Sequence, residues 1–357
     1  MPTTASAPTT LPPRPTASPG SGRFHEFPLP GSPNVNRAVD SVDILSLHPP
    51  RRRLDRRAWL SLALVVALLL PAVTLVLTGH WQQRAYFYIS SQLHAAEWAG
   101  RSVWLPDYKV VIDALPVKGI ESDLSAISYD FDQDRLIAVT NAGAMKLAVL
   151  SKTGELLAQY PMNGFQDVEG VAYLGGGLVA VSDENLQQID FFALPERPGQ
   201  GIDARDAQSI ALAINPSLHN KGFEGLTYDA GHDRLFIGKE RGPRQIYEIT
   251  GVRASLAGKL QLKVIDHSAW VKRSVFGTDI SDLHYDRKSG HLLVLSEESR
   301  LIMELDGQGG LVSFRSLGGF GDLEHGAPQA EGLSMDADGN LYVVSEPNLF
   351  YRFERQR

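Results

Sequence analysis

The chain has 357 residues, no cysteine and a formal net charge of −7 at pH 7. The missing thiols exclude a disulfide framework, a thiolate metal site and a cysteine nucleophile. Residues 1–105 carry ten arginines against five acids, whereas residues 106–357 carry 24 basic and 36 acidic residues; the second part therefore lacks the cationic excess that nucleic-acid backbones require, and no nucleic-acid partner is expected.

Residues 1–57 begin with a stretch rich in Pro, Ser, Thr and Ala that has no sustained apolar period. Such a composition cannot bury enough surface to offset chain entropy, so the segment reads as a disordered cytoplasmic tail. It ends in Arg51-Arg52-Arg53-Leu54-Asp55-Arg56-Arg57. Residues 58–78 contain no charged side chain, and at about 1.5 Å per residue they are long enough to cross a hydrocarbon core of about 30 Å. This predicts a transmembrane helix, with Trp59 and Trp81 where interfacial aromatics belong. The apolar run and its leader are both too long for a cleaved signal peptide.

Five arginines precede the span and Arg84 is the first strong base after it, so the positive-inside rule leaves the N-terminus in the cytoplasm. In a bacterium this is a single-pass inner-membrane protein with a periplasmic C-terminal domain. Residues 79–106 are a juxtamembrane linker in which Trp81–Gly100 has helical character. That helix either lies on the membrane surface or packs as a spacer against the domain that follows.

Residues 107–357 change to short alternating runs of Val, Ile, Leu, Tyr and Phe between Gly, Asp and Asn turns, the pattern of strands. One motif occurs five times: DLSAISYD…VTN from Asp123, DVEGVAY…VSD from Asp167, GFEGLTYD…GKER from Gly222, DISDLHYD…LSE from Asp279 and QAEGLSMD…VSE from Gln329. The spacing of roughly 45–57 residues is that of propeller blades. The third copy parses into four strands, Gly225–Asp229, Arg234–Glu240, Gln245–Thr250 and Lys259–Asp266, with a turn at Gly251–Gly258. The fifth runs out after three, and Tyr108–Leu115 is the donor of its fourth, closing the ring and removing exposed sheet edges. The predicted fold is an all-β propeller of five four-stranded blades. A degenerate sixth blade within Pro195–Gly222 or Val252–Phe276 is the alternative.

Two positions of each repeat converge on one mouth of the central channel. The first holds Ser125, Glu169, Glu224, Ser281 and Glu331; the second holds Asn141, Asp183, Glu240, Glu297 and Glu346. Seven of these ten are carboxylates and the others are also oxygen donors. Crowded carboxylates repel one another unless a cation, a proton or a basic side chain compensates. Hard oxygen donors without cysteine favour Ca2+ or Mg2+ over zinc, and Ca2+ tolerates an irregular cage. Pairing with Lys239, Arg241 or Arg300, or with turn N–H groups, is the competing account. Small residues follow the first position in four of the five copies, consistent with inner strands crowding near the axis. Tyr129, Tyr173, Tyr228, Tyr285 and Met335 are assigned to packing between blades. His284, on an inner strand, and His325, before Glu331, are the two histidines within reach of the channel as a base.

These motifs, above all DLSAISYD with LIAVTN, NGFQDVEGVAY with VSDEN, and GFEGLTYD with KER, resemble the SdiA-regulated (YjiK-like) family over about residues 107–357. The resemblance implies a propeller held outside the bacterial inner membrane by one N-terminal span. Related-looking propellers include calcium-dependent phytase-like and lactonase-like hydrolases, whose acidic residues at the channel mouth hold the metal. The leading expectation is a binding module with Ca2+ or a cationic ligand at that mouth. A metal-dependent hydrolase of phosphoesters or lactones is the second. A scaffold that meets a protein partner through loops such as Glu196–Asp206 and Val252–Lys259 is the third.

Overall fold

A computed structural model describes residues 55–78, 81–141, 143–212, 222–319 and 321–356. The 23-residue helix α1 (Arg56–Thr78) is long and apolar enough to cross a membrane by length and composition. Helix α2 (Trp81–Trp98) lies against the strand domain. The Phe87 ring stacks on Phe276 with centroids 4.5 Å apart, and the Arg84 guanidinium donates to the Ser299 carbonyl. After α2, the Val103 and Trp104 N–H groups both donate to the Glu304 carboxylate, which is fully buried.

The strands form five antiparallel blades. Blade 1 comprises Leu124–Asp130, Arg135–Thr140, Lys146–Leu150 and Leu156–Asn163, and the short strand Ile202–Asp203 adds to its outer edge in parallel. Blade 2 comprises Val168–Gly175, Leu178–Asp183, Gln188–Ala193 and Gln208–Ala211, and blade 3 Phe223–Asp229, Arg234–Lys239, Gln245–Thr250 and Lys263–Asp266. Blade 4 comprises Asp282–Asp286, His291–Ser296, Leu301–Leu305 and Leu311–Ser316. Blade 5 takes Ala330–Met335, Leu341–Ser345 and Leu349–Arg355, and its outermost strand is Tyr108–Pro116 from the start of the domain. That closing pair runs in antiparallel register from Tyr108 opposite Arg355 to Pro116 opposite Leu349. The ring is thus held by backbone hydrogen bonds between the two ends of the domain.

No sixth sheet is present among the described residues. The segment after blade 3's third strand instead forms helix α3 (Val252–Leu256), and the link to blade 4 forms helix α4 (Ser268–Ser274). The turn expected at Gly251–Gly258 is therefore a short helix. Gly251 enters it at φ 73°, a left-handed conformation that glycine tolerates, and the helix-compatible run Arg-Ala-Ser-Leu follows. The expected strand Lys259–Asp266 shortens to Lys263–Asp266 as a result.

An apolar cluster fills each of the five gaps between adjacent blades. Polar stitches reinforce them at the inner strands. Tyr173 N–H donates to Ser128 Oγ at 3.0 Å and Tyr285 N–H donates to Thr227 Oγ1 at 2.9 Å, each crossing a blade boundary.

Candidate functional site

The inner strands do not pair regularly at their first residues. Opposite Asp183 and Ser182 stand Val168 and Gly170, so Glu169 is an extra, unpaired residue. Glu331 is skipped in the same way between Ala330 and Gly332, and Ser125 between Leu124 and Ala126. In blade 3 the irregularity covers Glu224 and Gly225 together. Each is a β-bulge, which re-aims a side chain out of the regular alternation. Here the re-aimed glutamates point into the channel mouth.

The small residue that follows is dictated by the neighbouring blade. A Cβ added to Gly170 would lie 1.9 Å from the Glu224 carbonyl oxygen, and one added to Gly225 would lie 2.7 Å from the Asp282 Cα. Inner-strand backbones touch at this level, which brings the bulged glutamates of successive blades close together.

The second position lies just beyond the second strand of each blade. Its backbone N–H donates to a partner two residues before the bulge: Asn141 to the Asp123 carbonyl, Glu184 to Asp167, Glu240 to Gly222 and Glu346 to Gln329. In blade 4 the Glu297 N–H donates to the Asp279 carboxylate at 2.9 Å instead. The structural equivalent of Glu240 and Glu346 in blade 2 is therefore Glu184, not Asp183. Asp183 lies one residue too early. It is fully buried, and its carboxylate accepts the N–H groups of Gln166 at 2.9 Å and Leu186 at 3.1 Å. It holds the turn that presents Glu184.

These positions enclose a cavity of about 360 Å³. Glu169, Glu184, Glu224, Glu240, Asp279, Glu297, Glu331 and Glu346 line it, together with Ser281, Gln329 and one cation, Arg241. Six of the seven carboxylates expected from the repeats are there, and Asp183 is not. Glu184 and Asp279 join them. Asp279 was visible in the sequence as the acid two residues before the bulge, a position Asp123 and Asp167 share.

Arg241 pairs with Glu240 and reaches Glu298 at 2.9 Å. The Lys239 amine donates to the backbone carbonyls of Arg241 and Pro243. Asp279 is satisfied within its own turn by the Ser281 and Ser296 hydroxyls and the Glu297 N–H. Glu169 receives one amide hydrogen bond, from Asn141 at 2.6 Å, and the same amide also donates to Asp167 at 2.7 Å.

One guanidinium does not balance this wall. Burial first, and then the neighbouring Asp167, push Glu169 up to about 8. Burial likewise pushes Glu331 up to about 7, against a hydrogen bond from Gln329. Glu224 is held well above the ordinary range by burial and then by Glu331, Glu184 and Glu169. Glu184, Glu297 and Glu346 are raised too, burial being the largest cause for each. Burial, with repulsion between neighbouring carboxylates added to it, thus disfavours the charged form across this wall.

Two triads, Asp167–Glu169–Glu184 and Glu184–Glu224–Glu240, each bring one carboxylate oxygen per residue within 4.8 Å of the others. Oxygens this close can share one metal ion. Glu184 belongs to both triads. His284 is not part of this wall; it lines a second cavity formed by later residues of the inner strands, and His325 is exposed and lines neither cavity.

Fold and site together define a five-bladed β-propeller with an anionic channel mouth. The family model described as SdiA-regulated matches residues 100–354, and the chain belongs to that family. Among solved structures, a luciferin-regenerating enzyme is similar at 14% identity, with 68% of this chain and 95% of that one covered and a TM-score of 0.44. A chain of a nidogen/laminin complex is similar at 12% identity, covering 63% and 73% with a TM-score of 0.40. A structural genomics protein of unknown function from Bacteroides thetaiotaomicron is similar at 12% identity, covering 64% and 58% with a TM-score of 0.42.

Proposed function

We propose that this protein is a binding propeller, anchored by α1 in the bacterial inner membrane with the propeller in the periplasm, whose channel mouth holds a divalent cation, Ca2+. The observation that carries the reading is a wall of eight carboxylates around one cavity, with Arg241 the one cation lining it among the described residues. All-oxygen donors and an irregular ring of side chains from several blades favour calcium over the smaller, stricter Mg2+. The N-terminal arginines and the uncharged span support the anchor and its orientation. Glu184, Glu224 and Glu240 are the proposed primary ligands, with Glu169, Glu297, Glu331 and Glu346 supplying the remaining negative field. Calcium titration of the full chain in detergent, with and without Glu184→Gln and Glu224→Gln, tests this. Unchanged calcium affinity in both variants contradicts it.

A second reading has its own support. The cavity is larger than an ion requires, and Glu169 and Glu331 sit near 8 and 7, where a carboxyl group can exchange protons at neutral pH. The ion would polarise a phosphoester or lactone, with one of these glutamates as acid or base. Turnover of an ester, lactone or phosphoester panel with calcium present, lost on Glu169→Gln or Glu331→Gln, is the expected result. No turnover across the panel removes this reading and leaves the binding module.

A further inference from the structure

The inner strands run from the acidic mouth to a second cavity of about 360 Å³, four residues or about 13 Å further along. Its chemistry is the reverse of the first. Tyrosines from four blades line it, Tyr129, Tyr173, Tyr228 and Tyr285, and the half-exposed Phe131 stands at its rim. The tyrosines are fixed by their hydroxyls: Tyr129 donates to Asp134 at 2.7 Å, Tyr228 to Asp233 at 2.8 Å, and Tyr285 accepts from Arg234 at 2.9 Å. Rigid rings present flat apolar surface at little entropic cost.

The acids at this cavity are already engaged. Asp286 accepts the Ser289 N–H and hydroxyl, and Asp336 accepts from Asn340 and Tyr342. Arg287 and Lys288 line the cavity and make no ion pair among the described residues, the Lys288 amine donating to the Ala337 carbonyl at 2.6 Å on the cavity wall. His284 forms part of the wall, and neither of its ring nitrogens is hydrogen-bonded to another described residue. Burial lowers it to about 4, so at neutral pH the imidazole offers one donor and one acceptor.

We infer that this second mouth is a binding site for a small organic anion with an aromatic body, an aryl carboxylate in class. The rings receive its flat face, Arg287 and Lys288 its carboxylate, and His284 a hydrogen bond at the floor. This site is independent of the calcium reading, because the two cavities share no lining residue.

The test is calorimetric titration of the full chain in detergent with 2-naphthoate and, separately, with 2-naphthylmethylammonium. Ala337→Trp serves as the blocked protein, since Ala337 is an exposed turn residue on the cavity wall and the substitution fills the space from outside. The blocked variant in the same micelles also measures partition of the probe into detergent. Saturable one-to-one binding of naphthoate is expected, absent in Ala337→Trp and weakened at least tenfold in Arg287→Gln/Lys288→Gln, with the ammonium probe binding at least tenfold more weakly. Calcium titration of the same variants should match the unmodified chain, which separates failure here from failure of the calcium site. No saturable naphthoate binding, equal binding of the ammonium probe, or binding that survives Ala337→Trp overturns the inference.

Discussion

The Asp282 carboxylate of blade 4 accepts a hydrogen bond from the Leu333 N–H of blade 5 at 2.7 Å. It also accepts from its own Leu283 N–H at 2.8 Å. One buried side chain thus joins the inner strands of blades 4 and 5, at the repeat position where the other blades have glycine or alanine. Asp282→Ala leaves these N–H groups without a partner, at about 1–3 kcal/mol for each that stays unsatisfied. At roughly 2–4 °C per kcal/mol, a clear drop in melting temperature is expected. Asp282→Asn, which keeps an acceptor oxygen, should retain more of the stability. Thermal unfolding of the two variants checks this.

A methyl group at Gly170 or Gly225 collides with the backbone of the next blade. Gly170→Ala and Gly225→Ala should each cost about 1–3 kcal/mol, the range for forcing extra volume into a packed region. The same shift displaces Glu169 or Glu224, so calcium affinity falls along with stability. Denaturant unfolding and calcium titration on the same samples measure both.

Asp183 and Glu184 are neighbours with separate roles. Asp183→Ala removes the acceptor for the Gln166 and Leu186 N–H groups and should lower the melting temperature in metal-free protein. Glu184→Gln keeps an acceptor for the Gly222 N–H, now bonded at 2.8 Å, and removes the charge shared by both triads. It should leave the fold intact and weaken calcium at least tenfold. Paired melting curves and titrations distinguish the two variants.

Metal-free protein should lose stability as pH rises. Glu331 and Glu169 titrate near 7 and 8 in the folded chain, against about 4.3 for an unfolded glutamate. Between those values the folded state binds more protons than the unfolded state, so stability decreases from about pH 5 to about pH 8. A bound cation supplies the missing positive charge in place of those protons. Melting temperature against pH in chelator should therefore slope downward, and saturating calcium should flatten the slope.

Much of this was legible in the sequence because a propeller repeats its instructions. Five copies of one motif gave the blade number, and a fifth copy that runs out after three strands, with Tyr108–Leu115 free to supply the fourth, gave the closure. The acidic mouth was legible because Glu169, Glu224 and Glu331 share one place in the motif, although nothing in the letters revealed the bulge that aims them. Blade 2 is where the letters mislead. VSDEN aligns by eye with LSEES so that Asp183 sits under Glu297, yet backbone pairing sets Asp183 opposite Val168, as Lys239 is set opposite Phe223. Side chains change face with a slip of one residue, so the carboxylate that lines the channel mouth is Glu184. The tyrosines read as packing because their rings lie between blades, and only the structure shows that they also line a cavity.

The central claim is a calcium ion at the acidic mouth. Its most direct test is calcium content and calcium titration of the full chain, with the melting temperature read before and after chelator, beside the Glu184→Gln/Glu224→Gln variant. The account predicts one calcium per chain, a lower melting temperature after chelation, and loss of both effects in the variant while its strand content is kept. A chain that holds no calcium, and whose melting temperature responds neither to chelator nor to added calcium, contradicts it.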